Sequence, residues 1–173
     1  MPLLCIFVHI AEEAPINPSL LVSLAGCGLR CRYCQQWELL DPSFPGLPLD
    51  ASIWASLKPR DARSLSFIGG NTDESLYAIL RFLLSAPEDW PLALVWNCNG
   101  YATPETLNLL GSVIDCYVPD LKYDNPECSE WLSNAPGYPD VAKESVRIML
   151  SQDVPVIARI LVLPGHVDCC HLP

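Results

Sequence analysis

Five short apolar runs, each followed at once by a cluster of polar, glycine or cysteine residues, constrain this chain more than any other feature. The runs are residues 20–25 (LLVSLA), 64–68 (SLSFI), 92–96 (LALVW), 113–118 (VIDCYV) and 155–163 (PVIARILVL). Each is short and bounded by breakers, which reads as a buried strand. Helical patterns lie between them. Residues 50–58 place Ile53, Trp54 and Leu57 on one face, and Thr72 precedes a stripe of Leu76, Ile79, Leu80, Leu83 and Leu84. Thr72 is expected to cap that helix, with Asp73 and Glu74 at its positive end. Thr103-Pro104 opens another helix ending near Gly111, and residues 127–133 and 140–152 predict two more. Strands alternating with helices define an α/β fold with parallel strands. Residues 3–9 predict a further short strand, residues 12–18 break any regular element, and Pro119 is expected to stop the fourth run.

The clusters after the runs are CGLRCRYC, GGNTD, NCNGY, PDLKY and LPGH. In parallel α/β folds the carboxyl ends of the strands share one rim, where ligands bind. Five such clusters converge on a single site. The first is the most specific, with Cys27, Cys31 and Cys34 spaced C-x3-C-x2-C and Tyr33 just before the last. Soft thiolates favour zinc, copper(I) or an iron–sulfur cluster. A structural zinc needs a fourth ligand and usually shows two separated pairs, whereas three thiolates on a [4Fe–4S] cube leave one iron open. A zinc knuckle, or loop cysteines without a ligand role, are the competing readings.

Composition narrows the setting. The 173 residues suit one domain with a substantial core, and no run approaches the roughly 18–20 apolar residues of a membrane span. The N-terminus lacks the basic segment and small-residue cleavage site of a signal peptide. A formal charge of −10 argues against a nucleic-acid surface. Nine cysteines form no disulfide-scaffold pattern, so a reducing, cytoplasmic setting is expected.

The cysteine spacing with its aromatic resembles the signature of radical S-adenosylmethionine (SAM) enzymes. HIAEEAPI, VWNCNGY, CYVPDLKY, LSNAPGY and RILVLPGHVDCC extend the resemblance over nearly the whole chain, toward a branch related to pyruvate formate-lyase activating enzymes. The resemblance implies a partial (β/α) barrel in a single core domain over residues 1–173. The barrel is expected to lack its last βα unit, which leaves the fifth strand at an edge. It implies a [4Fe–4S] cluster on Cys27, Cys31 and Cys34, with one iron chelated by SAM, and Tyr33 beside the adenine. Gly69-Gly70 aligns with the family's GGE motif, which receives the amino group of SAM, and Asn71 stands where the family usually has Glu. Asn97, Asn99 and Gly100 match a D-T-N-G-like segment, with Asn97 replacing an acid. Asp120 and Lys122 match a D-L-K segment, with an ion pair at a strand end as the competing reading. Arg159 lies inside an apolar strand, where a charge is costly unless paired or facing a polar cavity.

The implied reaction is reductive cleavage of SAM to a 5′-deoxyadenosyl radical that takes hydrogen from a substrate. A backbone glycine of a partner enzyme, giving a glycyl radical, ranks first as that substrate, and a small molecule or peptide second. A flavodoxin or ferredoxin would supply the electron. An iron–sulfur protein that no longer cleaves SAM is the rival from another class. His166, Cys169, Cys170 and His171 crowd the end of the chain as a candidate second metal site, while Cys5, Cys98, Cys116 and Cys128 read as core or surface thiols.

Overall fold

Five parallel strands carry the molecule, and each lies at or near one of the apolar runs. The structure, a computed structural model, describes residues 2–10, 13–41, 43–57 and 61–163. The strands are β1 (Pro2–His9), β2 (Ser19–Leu24), β3 (Leu47–Pro48), β4 (Ser64–Gly69), β5 (Ala93–Cys98), β6 (Cys116–Leu121) and β7 (Arg159–Ile160). They form one sheet in the order β3-β1-β2-β4-β5-β6-β7. From β2 to β7 every pairing is parallel. The helices are α1 (Leu76–Leu83), α2 (Pro104–Leu110), α3 (Pro126–Ser133) and α4 (Tyr138–Ser151).

Alternation along the strands sorts the two faces of the sheet. Val22, Leu24, Leu65, Phe67, Trp96 and Tyr117 join the core that contains Ile79 and Phe82 of α1, Leu107 and Leu110 of α2 and Met149 of α4. Full burial of each of these large side chains contributes roughly 1.5–3 kcal/mol. Trp54 stacks on Phe82 at 4.1 Å between centroids and donates its Nε1–H to the Phe82 carbonyl. The opposite face holds Val95, Cys116 and Val118, packed against Ile16 and Ile157.

Five expectations need correction. β1 runs antiparallel to β2, with Ile6 opposite Val22, because the link from residue 10 to 18 is too short for the crossover a parallel neighbour requires. Pro119 does not stop the fourth strand but lies within β6, opposite Cys98 of β5. Tyr117 accepts from Ile157 N–H, and Leu121 from Leu161 N–H, so alternate residues of β6 face the β7 side. Pro119, between them, has no N–H to give there. The predicted fifth strand is correspondingly reduced to a bridge at Val156 and the two residues of β7. Within 50–58 the chain forms a 3₁₀ segment, Ala51–Ala55, capped by Asp50. Thr72 caps no helix N–H; its hydroxyl donates instead to the Asn97 carbonyl at 2.8 Å, tying the end of β4 to β5.

Candidate cofactor site

Beyond the carboxyl ends of β2, β4, β5 and β6 lies a cavity of about 480 Å³. Cys27, Cys31, Tyr33 and Cys34 line it from the loop after β2, and Gly69, Gly70 and Asn71 from the end of β4. Asn97 and Asn99 enter from β5 and the turn after it, Asp120 and Lys122 from β6 and just beyond, and Arg159 from β7. Every residue selected from the sequence as a cluster or cofactor contact therefore faces one space. His166, Cys169, Cys170 and His171 lie outside the described residues.

The cysteine loop is held by the last turn of α3. Arg30 N–H donates to the Ser133 carbonyl at 2.9 Å and Arg32 N–H to the Leu132 carbonyl at 2.8 Å. The Arg32 guanidinium lies 4.8 Å over the Trp131 ring, and Arg30 Nη1 donates to the Cys27 and Leu29 carbonyls. From the other side Glu74 accepts from Gly28 N–H. Burial, and secondarily the negative charge of Glu74, push the Cys27 thiol up to about 11. Cys31 Sγ accepts from Ser133 Oγ at 2.9 Å, and Tyr33 Oη meets Tyr123 Oη at 2.5 Å. Cys98 also reaches the cavity wall, but burial and then nearby Asp73 keep its thiol well above the ordinary range.

Gly69 and Gly70 answer first to their own backbone. Gly69 has φ +115°, and a Cβ there would stand 2.1 Å from the Leu24 carbonyl oxygen; at Gly70 it would stand 1.9 Å from that of Gly26. Gly70 N–H donates to Leu24 O and Asn71 N–H to Gly26 O, both at 2.8 Å. Closeness to the cysteine loop is reason enough for two glycines. Asn71, buried, spends its carboxamide locally. Its Nδ2 donates to Asp73 at 3.1 Å and Glu74 at 2.5 Å, and its Oδ1 accepts from Asn99 N–H at 3.0 Å. Asp73 also accepts from Trp96 Nε1–H at 2.9 Å.

Arg159 is both paired and cavity-facing. Its Nε donates to Asp120 Oδ1 at 2.7 Å, Nη2 to Asn97 Oδ1 at 2.7 Å and Nη1 to Glu13 Oε1 at 3.0 Å. Burial opposes its charge, but the carboxylates of Asp120 and Glu13 more than offset that and hold the guanidinium above its ordinary range. Lys122 Nζ takes the other oxygen of Asp120 at 2.8 Å. The ion pair at the strand end is real, and it is part of the cavity wall.

Sequence reasoning missed Glu13, Tyr123 and Ser133 as parts of this site. Glu13 and Ser133 lie in segments that supply no cluster at a strand end, so no local pattern marked them, and Tyr123 closes the PDLKY cluster, where Asp120 and Lys122 carry the motif. The stretches HIAEEAPI and LSNAPGY, which contain Glu13 and Ser133, were the available signal.

The chain belongs to the radical SAM superfamily, which it matches over residues 21–171. Members of that superfamily use a [4Fe–4S] cluster and SAM. In sequence it is 35% identical over 173 residues to the uncharacterized protein MJ0674 of Methanocaldococcus jannaschii, covering 95% of this chain and 50% of that protein. The chain thus spans half the length of this relative. In fold it resembles native anSMEcpe with bound AdoMet, at a TM-score of 0.63 and 17% identity, over 88% of this chain and 47% of the other. Native anSMEcpe with bound AdoMet and Cp18Cys peptide gives 0.62 and 16%, over 88% and 46%. The α/β architecture, with its mostly parallel sheet, is that of radical SAM enzymes.

The residues present fit these cofactors. Among the described residues no three His, Cys, Asp or Glu side chains gather tightly enough to hold a single metal ion. The three thiols instead border a space of several hundred cubic ångströms, together with hydrogen-bonding groups of both kinds and one aromatic ring. A bulky thiolate-bound body with a polar cosubstrate suits that space better than one zinc ion. Among the described residues no helix is long and apolar enough to cross a membrane.

Proposed function

We propose that this chain is a radical SAM catalyst, a single cytoplasmic core domain in which Cys27, Cys31 and Cys34 hold the cluster. The bound cofactors supply a one-electron cleavage that yields a hydrogen-abstracting carbon radical. The protein's own residues bind and orient. Tyr33 offers its ring to the adenine, and Gly69, Gly70 and Asn71 border the amino end of SAM. Asn97, Asn99, Asp120, Lys122 and Arg159 provide donors and acceptors for its remaining polar groups. The observation that carries this reading is the convergence of three loop thiols, three other strand-end clusters and Arg159 on one cavity. For the hydrogen donor, the motifs that resemble glycyl-radical-enzyme activases favour a backbone glycine of a partner protein, with a small molecule or peptide second. A flavodoxin- or ferredoxin-type protein would deliver the electron.

One observation favours a second reading, an iron–sulfur protein that does not cleave SAM. The carboxamide of Asn71 is already spent on Asp73, Glu74 and Asn99, leaving less to offer an incoming ammonium. A single experiment separates the two. Protein reconstituted anaerobically should bind about four irons per chain, with thiolate-to-iron charge-transfer absorption. After reduction and addition of SAM it should release 5′-deoxyadenosine. Cys27→Ala, Cys31→Ala and Cys34→Ala should each abolish both properties, and Cys128→Ala neither. Full iron with no 5′-deoxyadenosine would establish the second reading, and stoichiometric zinc without a cluster would defeat both.

A further inference from the structure

Ser133 is the last residue of α3, and its side chain is fully buried. Its position is fixed twice, because its carbonyl accepts from Arg30 N–H while its hydroxyl donates to Cys31 Sγ. A serine hydroxyl has one proton. With that proton given to sulfur, the contact between Ser133 Oγ and Tyr123 Oη requires Tyr123 to donate. The Tyr123 proton is then also spent, so the contact at 2.5 Å between Tyr33 Oη and Tyr123 Oη requires Tyr33 to donate. Four residues from three separate segments thus form one directed chain, from Tyr33 through Tyr123 and Ser133 to the Cys31 sulfur. Each donor in such a chain is polarised by the one behind it.

We propose that Ser133, backed by Tyr123 and Tyr33, is a positioning residue that raises the reduction potential of the cluster through its bond to Cys31. The proposal rests on the reading of Cys31 as a cluster ligand. With a cluster bound, Cys31 would carry part of the negative charge added by one electron from an external low-potential reductant. A fixed donor aimed at one thiolate stabilises that added charge more than it stabilises the oxidised form. Hydrogen bonds to cluster sulfurs are among the levers that set such potentials. The bond runs from a fully buried side chain that is also anchored through its backbone, so it costs no reorganisation on reduction.

The test is an electron-paramagnetic-resonance-monitored redox titration of reconstituted protein, with iron content measured on each sample. Ser133→Ala, loaded with iron as the wild type is, should show a more negative midpoint. At a fixed potential its reduced-to-oxidised ratio should fall about tenfold, equivalent to ~59 mV for one electron. Tyr123→Phe removes the polarising hydroxyl but spares the bond to sulfur, and should shift the midpoint the same way by less. Ser129→Ala is the control, since Ser129 is equally buried on α3 but bonds the Pro126 and Ala135 carbonyls. It should leave the potential unchanged. A loaded Ser133→Ala with the wild-type midpoint would overturn the proposal while leaving the cluster reading intact. If Ser133→Ala does not load, an unshifted Tyr123→Phe overturns the proposal in its place. A wild type that takes up no iron would remove the cluster reading, and this inference with it.

Discussion

Asn71 shows how one residue departs from a family pattern for a reason its neighbours supply. The related motif carries a glutamate at this position, yet here two carboxylates, Asp73 and Glu74, already lean on the same point. A carboxamide can donate to both and still accept from Asn99 N–H. A carboxylate could only accept. Asn71→Glu would therefore place a third negative charge in a buried position against two others, with no donor left between them. The expected cost is about 3–5 kcal/mol, that of an uncompensated buried charge. Adding Glu74→Gln should recover a large part of it by returning a donor to the cluster. Urea unfolding of the two variants checks both statements. An Asn71→Glu protein as stable as the wild type would mean that Asn71 is not holding its neighbours together.

At the scale of elements, the meeting of the ends of β2 and β4 decides where the cysteine loop begins. Leu24 pairs with Gly69 in register, and beyond that pair the two backbones close to hydrogen-bonding distance at Leu24, Gly26, Gly70 and Asn71. Gly70→Ala sets a Cβ 1.9 Å from the Gly26 oxygen, so one of the two chains must move. A loss of about 2–4 kcal/mol is expected, with poorer iron uptake because the loop holding Cys27 starts one residue later. Thermal unfolding together with iron content measures the two effects. Unchanged values would show that the strand ends separate freely. The glycine pair was legible in the sequence, but its partner was not. Five strands could be located because short apolar runs stood between breakers. The direction of β1 could not, since it depends on the length of a connection rather than on any residue in the strand. Pro119 misled for a related reason: proline is excluded only where its missing N–H is needed, and that is set by the neighbour on the β7 side. The cavity was legible because its residues follow strands. Glu13, Tyr123 and Ser133 were not, because each acts through a partner distant in sequence.

For the molecule as a whole, the longest tie in sequence among the described residues is the pair Glu13–Arg159. It joins the link between β1 and β2, on one side of the sheet centre, to β7 on the other. The segment carrying Glu13 crosses the face away from the helices. Ile16 packs against Val95, Cys116 and Val118, and Ser64 donates its hydroxyl to the Ile16 carbonyl at 2.7 Å. The Glu13 side chain is only 6% exposed and Arg159 37%. The pair is thus intermediate between a buried ion pair, whose disruption costs about 3–5 kcal/mol, and a surface pair worth under about 1 kcal/mol. Glu13→Gln, which keeps the shape and one acceptor but removes the charge, should cost about 1–2 kcal/mol. The effect should concentrate at β7. That strand is only two residues long, and Arg159 is what anchors it to Asp120 and Asn97 as well. Hydrogen exchange at the Ile157 and Leu161 amides, both bonded to β6, should therefore quicken more than exchange in β4 or β5. If Glu13→Gln leaves stability and those two amides as they were, Arg159 is held by Asp120 and Asn97 alone, and the N-terminal link only lies over the sheet without securing it.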